Sequence, residues 1–72
     1  MHYLVCDEFG NVHAKLSEKK YAVYLAQRIS EDDPNTLYAV YFLEFGLTSE
    51  RRLVAAVKNG DFMKAGNDEK TN

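Results

Sequence analysis

Residues 37–45, Leu-Tyr-Ala-Val-Tyr-Phe-Leu-Glu-Phe, constrain the fold more than any other stretch of the chain. The nine residues carry one charge, and four of them are aromatic. A short apolar run rich in aromatic and β-branched side chains is typical of a buried strand. Pro34 before the run and Gly46 after it would also suit the two ends of a helix. The length and the side-chain types favour a strand, so we interpret 37–45 as the central strand of a small sheet.

A hairpin is predicted at the start of the chain. Residues 2–7 have the composition of a strand, and residues 12–16 alternate apolar with polar side chains, which is the period of a half-buried strand. Gly10 or Asn11 between them can take the positive φ that a tight turn requires.

An amphipathic helix is predicted over residues 18–29, with Ser17 as its N-cap. Its apolar side chains recur at the helical spacing i, i+3, i+4, i+7: Ala22, Leu25, Ala26 and Ile29. The polar residues 30–35 that follow are interpreted as a loop, because acidic side chains oppose the dipole at a helix C-terminus.

A second helix is predicted after the central strand, starting at Thr48 and stopped by Asn59-Gly60. Phe45 and Phe62, on either side of it, are assigned to the core. The predicted fold class is α+β, a three-stranded antiparallel sheet with two helices in the order β-β-α-β-α. Residues 1–65 would form one domain, and the polar residues 66–72 a disordered tail.

Both faces of the predicted central strand are apolar. We assign one face to the first helix, and its first residues are Leu37, Ala39 and Tyr41. The second helix offers few apolar side chains for the other face, so a second copy of the chain is expected to complete its cover. The predicted homodimer interface consists of Tyr38, Val40 and Phe42.

Composition limits the class of protein. Cys6 is the single cysteine, so an internal disulfide is excluded and a reducing compartment is favoured. No apolar run suits a signal peptide or a membrane span, so a soluble cytoplasmic protein is expected. The formal net charge of −2 argues weakly against general nucleic-acid binding.

No pattern in the sequence indicates catalysis. Cys6 and His13 could meet across the hairpin, but no third group or oxyanion donor accompanies them. The acidic clusters lack the spacing of a calcium loop, and the four glycines form no phosphate-binding loop. We therefore predict no enzyme activity, no catalytic residue, no bound metal and no cofactor.

Two surface patches are candidates for binding. The first is predicted to contact a host or cognate protein, because an exposed tyrosine beside an arginine resembles an interface anchor and an acidic cluster can steer a partner: Tyr24, Arg28, Glu31, Asp32 and Asp33. The second is an alternative nucleic-acid contact on the predicted second helix: Arg51, Arg52 and Lys58.

Residues 2–45 resemble small phage or mobile-element proteins of ββαβ layout. The resemblance lies in Tyr3-Leu4-Val5-Cys6-Asp7, Phe9-Gly10-Asn11-Val12-His13, the amphipathic helix ending in Glu31-Asp32-Asp33-Pro34, and the Tyr/Val-rich strand. It is structural, and it carries over no functional residue. It implies a non-enzymatic interaction protein, a regulator or inhibitor that binds a host protein surface. The alternative is a small nucleic-acid-binding module that uses the basic second helix.

Overall fold

The structure of the chain is a computed structural model that describes residues 2–44 and 51–63. One antiparallel sheet and one helix make up this described part. Along the chain the elements are β1 His2–Asp7, β2 Val12–Leu16, α1 Lys19–Asp32, β3 Tyr38–Leu43, β4 Arg51–Lys58 and β5 Asp61–Met63. The strands lie in the order β2-β1-β3-β4-β5, and α1 crosses one face of the sheet.

The most apolar stretch of the chain forms the middle of the sheet, as its composition predicts. β3 pairs with β1 along one edge and with β4 along the other, so its backbone groups are satisfied on both sides. The bounds predicted for β1 and β2 are confirmed, and Gly10 takes the positive φ expected in the turn between them.

The predicted three-stranded sheet with two helices is wrong, because the sheet has five strands and residues 51–58 form β4. Leu53, Ala56 and Val57 have helical spacing, but Val54 and Val57 are β-branched and fit a strand equally well. β3 needs a second hydrogen-bonded neighbour, and β4 supplies it from Tyr38↔Val57 to Leu43↔Arg51. The predicted start of the second helix at Thr48 lies outside the described residues.

Asn59-Gly60, interpreted from the sequence as a helix stop, is the two-residue turn of the hairpin between β4 and β5. Both residues have positive φ, 52° at Asn59 and 78° at Gly60, as a type I′ turn requires. Asn-Gly between apolar runs is the strongest short hairpin signal, so this turn could have been recognised from the sequence.

Helix α1 is longer than predicted at its C-terminal end. It runs to Asp32, so Glu31 lies in its last turn rather than in a loop. The N-cap residue is Glu18, not Ser17, and no side chain caps the first turn. The backbone N–H of Asp33 closes the helix by donating to the carbonyl oxygens of Ile29 and Ser30.

The core lies between α1 and the sheet. Two small helix residues, Ala22 and Ala26, have no exposed surface and let the helix approach the strands closely. The core cluster also contains strand residues from β1, β3 and β4: Val5, Tyr38, Val40 and Val57.

The face of β3 assigned to a partner copy is the face that α1 covers. Tyr38 and Val40 are buried beneath the helix, and Phe42 lies on the same face with its ring 5.1 Å from that of Tyr3. Of the predicted dimer interface, Tyr38 and Val40 are therefore core, and Phe42 is half-buried beside them. The alternation along β3 separates its two faces but does not tell which one α1 covers, and α1 covers the face opposite to the one assigned to it.

A hydrogen-bonded clamp fastens α1 to the turn between β4 and β5. The N–H of Gly60 donates to Oγ of the buried Ser30 at 2.9 Å, and this hydroxyl donates to the carbonyl oxygen of Gln27 at 2.7 Å. Nε2 of Gln27 donates to the carbonyl oxygen of Gly60 at 2.9 Å. The clamp fixes β5 beside the helix. The predicted domain end at 65 and the predicted tail at 66–72 lie outside the described residues.

Candidate interaction surfaces

The side of the sheet away from α1, called here the open face, carries mostly apolar side chains, and Leu4 and Cys6 near its centre are buried. Strand pairing assigns its members, which alternate with the core residues except at the register shifts beside His13 of β2 and Val54 of β4. Its apolar members are Leu4, Cys6, Val12, Ala39, Tyr41, Leu43, Leu53, Ala56 and Met63. Leu53 is 53% exposed and Met63 52%, so large apolar side chains are left in water on β4 and β5 only, whereas Leu4 and Cys6 on β1 are buried. A solvated sheet face is normally polar, and a contiguous apolar one marks an interaction surface.

The basic residues predicted as a nucleic-acid contact do not converge. Arg51 and Lys58 stand at opposite ends of β4 on the open face. Arg52 is on the helix side, where its guanidinium lies 5.3 Å from the ring centre of Phe42 and 4.0 Å from Glu44. The three side chains diverge because the segment is a strand, in which neighbours point to opposite faces.

A second apolar surface runs beside α1 on the helix side and is called here the helix-side groove. It is open to solvent and has a volume of about 710 Å³. Its lining comes from β1, from the two residues before α1, from α1 itself and from β5: Tyr3, Ser17, Glu18, Lys19, Lys20, Val23, Tyr24, Gln27 and Phe62. The aromatic side chains of Tyr24 and Phe62 are 59% and 49% exposed, so both are available to a partner.

Phe62 belongs to this groove and not to the core, contrary to the sequence-based assignment. Its partner in the register is Val57, which places it on the helix side of β5 at the edge of the sheet. No strand of the described part lies beyond β5, so nothing there covers the ring. Recognition of the Asn59-Gly60 turn would have revealed a short edge strand at this place.

The residues predicted to contact a partner protein divide into two groups. Tyr24 lines the helix-side groove, and Arg28 lies one turn further along the exposed side of α1, with Nε 4.0 Å from Glu31. The acidic cluster is partly used within the fold. Asp33 accepts a hydrogen bond from the hydroxyl of Tyr38 at 3.0 Å, and Glu31 lies against Gly60. Asp32 is exposed in the last turn of α1.

The best-connected polar group is Asp7, which organises the turn between β1 and β2. Its Oδ1 accepts from the N–H groups of Phe9 at 2.9 Å and Asn11 at 3.0 Å. Its Oδ2 accepts from the Asn11 amide at 3.1 Å and lies 3.0 Å from Nε2 of His13. These hydrogen bonds, that from His13 above all, lower the pKa of Asp7 well below its usual range. They explain the geometry of the turn without a ligand.

Asp7 should make folding sensitive to acid. A carboxyl group whose pKa is depressed in the folded state stabilises the fold above its unfolded pKa of ~3.9, and this stabilisation is lost as the pH falls below that value. We expect the free energy of unfolding of the wild type to decrease between neutral pH and pH ~3. The free energy of unfolding of Asp7→Asn should decrease less over the same interval. Urea unfolding of both proteins at the two pH values measures the difference. An equal decrease for the two would exclude this role for Asp7.

Cys6 and His13 are not brought together. A bulge shifts the pairing of β1 and β2 between Val5 and Cys6, and His13 contacts Asp7 and the ring of Tyr38 on the helix side. Cys6 lies on the open face, where burial raises the pKa of its thiol and Arg51 opposes the rise only partly. A buried thiol with a raised pKa is a poor nucleophile.

Within residues 2–44 and 51–63, no three His, Cys, Asp or Glu side chains are placed to hold a metal ion together. In the same ranges, no helix is both long and apolar enough to cross a membrane. Comparison with known protein families, curated proteins and solved structures finds no match to this chain.

Proposed function

We propose that the chain is a non-enzymatic interaction protein, a small cytoplasmic regulator or inhibitor that binds a partner protein through the helix-side groove. The observation that carries the proposal is the convergence of two half-exposed aromatic rings from different elements on one groove. Tyr24 comes from α1 and Phe62 from β5, and the clamp between Ser30 and Gly60 holds these elements together.

Such a groove favours a protein ligand over a small molecule. Pockets for small molecules enclose most of the ligand and aim a few polar groups into it. This groove is open along its length, and its lining combines the aromatic or apolar Tyr3, Val23, Tyr24 and Phe62 with five polar or charged residues. Exposed aromatic side chains on a rigid support are typical anchors of protein interfaces, where tyrosine is enriched among the residues that carry the binding energy.

The rim of the groove indicates the charge of the partner. Glu18, Lys19 and Lys20 are the charged residues that line the groove, and neither lysine forms an ion pair with a described residue. Lys20 lies 5.4 Å from the ring centre of Tyr21. A partner segment with apolar side chains for Tyr24 and Phe62 and with acidic groups beside the lysines would complement this surface.

Tyr21 provides a matched control for Tyr24. It is a tyrosine on the same helix, is 54% exposed and does not line the groove. We expect immobilised wild-type protein and Tyr21→Ala to retain the same protein from a lysate of the native host, and Tyr24→Ala to lose it. Quantitative mass spectrometry of the three eluates measures this. Equal retention by all three proteins, or loss with Tyr21→Ala, would contradict binding at the groove.

A further inference from the structure

We propose that the helix-side groove continues into a second depression, which binds a carboxylate of an otherwise apolar segment of the partner protein. This inference rests on the proposed function, because it specifies the chemistry of the partner at the same surface. Two observations carry it. The two depressions share Tyr3 and Lys19, and the second one brings together cations from two different elements, Lys19 of α1 and Arg52 of β4.

The second depression, called here the Arg52 pocket, lies where α1 and β4 begin. It has a volume of about 370 Å³ and is open to solvent. Its lining comes from β1, α1, β3 and β4: Tyr3, Lys19, Phe42, Arg52, Leu53 and Val54. Because Tyr3 and Lys19 also line the groove, the two depressions form one continuous surface that runs from Phe62 and Tyr24 to Arg52.

An aromatic floor supports the guanidinium of Arg52. The ring centres of Tyr3 and Phe42 are 5.1 Å apart, and the guanidinium carbon of Arg52 lies 5.3 Å from the ring centre of Phe42. A guanidinium that packs on an aromatic ring keeps the N–H groups at its edge free to donate to a carboxylate. Arg52 is therefore placed to bind an acidic side chain that enters the pocket.

The ion pair that Arg52 forms within the chain is weak. Glu44 lies 4.0 Å from the guanidinium, and the side chains of Arg52 and Glu44 are 72% and 48% exposed. An exposed ion pair at this distance contributes little to stability, so an incoming carboxylate can replace Glu44 with little loss. Lys19 forms no ion pair with a described residue, so it offers a second cation to the same carboxylate.

The charges along this surface favour a protein segment over a nucleic acid. A nucleic-acid strand carries a phosphate at every nucleotide, so it requires cations along its whole path. Here Glu18 lines the groove and Glu44 stands beside the Arg52 pocket, and both would repel such a polyanion. A segment with one acidic residue requires cations only at the place where Arg52 and Lys19 supply them.

Selection from a library of random peptides tests the acidic preference. We expect the peptides retained by the wild-type protein to combine aromatic or aliphatic residues with Asp or Glu. Arg52→Glu reverses the charge of the pocket, so the peptides that it retains should carry Lys or Arg in place of the acidic residue. Arg51→Glu is the matched control, because Arg51 is the neighbour on β4 and does not line the pocket. It should retain the same peptides as the wild type.

The outcomes separate this inference from the proposed function. If Tyr24→Ala loses the peptides but Arg52→Glu keeps the acidic preference, the groove is the binding site and the Arg52 pocket is excluded. Retained peptides without acidic residues would exclude the pocket in the same way. If Tyr24→Ala retains the same peptides as the wild type, or if the wild type retains none, both proposals fail.

A retained acidic peptide allows a quantitative test by binding titration. Arg52→Gln should weaken binding by roughly tenfold, the usual effect of losing one charge-assisted hydrogen bond. Glu44→Gln removes the competing carboxylate and should strengthen binding, whereas Arg51→Gln should stay within about twofold of the wild type. Equal affinities of Arg52→Gln and the wild type, or weaker binding by Glu44→Gln, would overturn the inference.

Discussion

Val40→Asp should leave the chain unfolded at room temperature. Val40 has no exposed surface, and on β3 it lies between Val5 of β1 and Ala55 of β4 beneath helix α1. An unpaired buried carboxylate costs several kcal/mol, or the group must be protonated to remain inside. A chain of 72 residues has a total stability of about 4–11 kcal/mol, so one such change consumes much or all of it.

Ala39→Asp is the matched control for Val40→Asp, since it places the same charge one residue away on the opposite face. Ala39 is half-buried rather than fully buried, so the carboxylate can reach water and we expect a folded protein that has lost at most ~1–2 kcal/mol. Circular dichroism and urea unfolding distinguish the two variants. A folded Val40→Asp beside an unfolded Ala39→Asp would reverse the assignment of the faces.

Tyr38→Ala should destabilise the fold by about 3–5 kcal/mol, the range for truncation of a core aromatic residue. The side chain is 4% exposed, belongs to the core cluster and meets His13 edge to face at 5.3 Å. Burial, with a smaller contribution from the hydrogen bond to Asp33, raises the pKa of its hydroxyl. The ring therefore contributes packing, and the hydroxyl contributes one hydrogen bond.

Tyr38→Phe separates these two contributions. It keeps the ring and removes the hydrogen bond to Asp33, so we expect a loss of only ~1 kcal/mol. Free energies of unfolding from urea titration provide the comparison. If Tyr38→Ala costs less than ~1 kcal/mol, or if Tyr38→Phe costs as much as Tyr38→Ala, Tyr38 is not packed in the core as described.

The first part of the chain could be predicted from local signals. Residues close together in the sequence determine these elements, so their patterns predict them: the turn at Gly10, the alternation in β2 and the apolar spacing of α1. β4 could not be predicted in this way, because its spacing fits a helix and a strand alike. The segment forms a strand rather than a helix because it pairs with the edge of β3 that β1 leaves unpaired. That edge is known only once the sheet is assembled. The Asn59-Gly60 turn was the local signal that favoured the strand.

The surfaces were harder to predict than the elements. The alternation along β3 separates Tyr38 and Val40 from Ala39 and Tyr41, but it does not tell which set the helix covers. That choice depends on how α1 crosses the sheet, which is a long-range property. Tyr24 was predicted as an exposed partner-binding residue, and the groove adds Phe62, whose position follows from the pairing of β5 with β4.

Binding at the helix-side groove is tested most directly by the dissociation constant of the purified partner that the wild-type protein retains. Truncation of an interface anchor typically costs 2 kcal/mol or more, so Tyr24→Ala should weaken binding by about 30-fold or more. Tyr21 is similarly exposed on the same helix but lies outside the groove, so Tyr21→Ala should stay within about twofold of the wild type. Calorimetric titrations that give the same dissociation constant for all three proteins would contradict the proposal that the groove is the binding site.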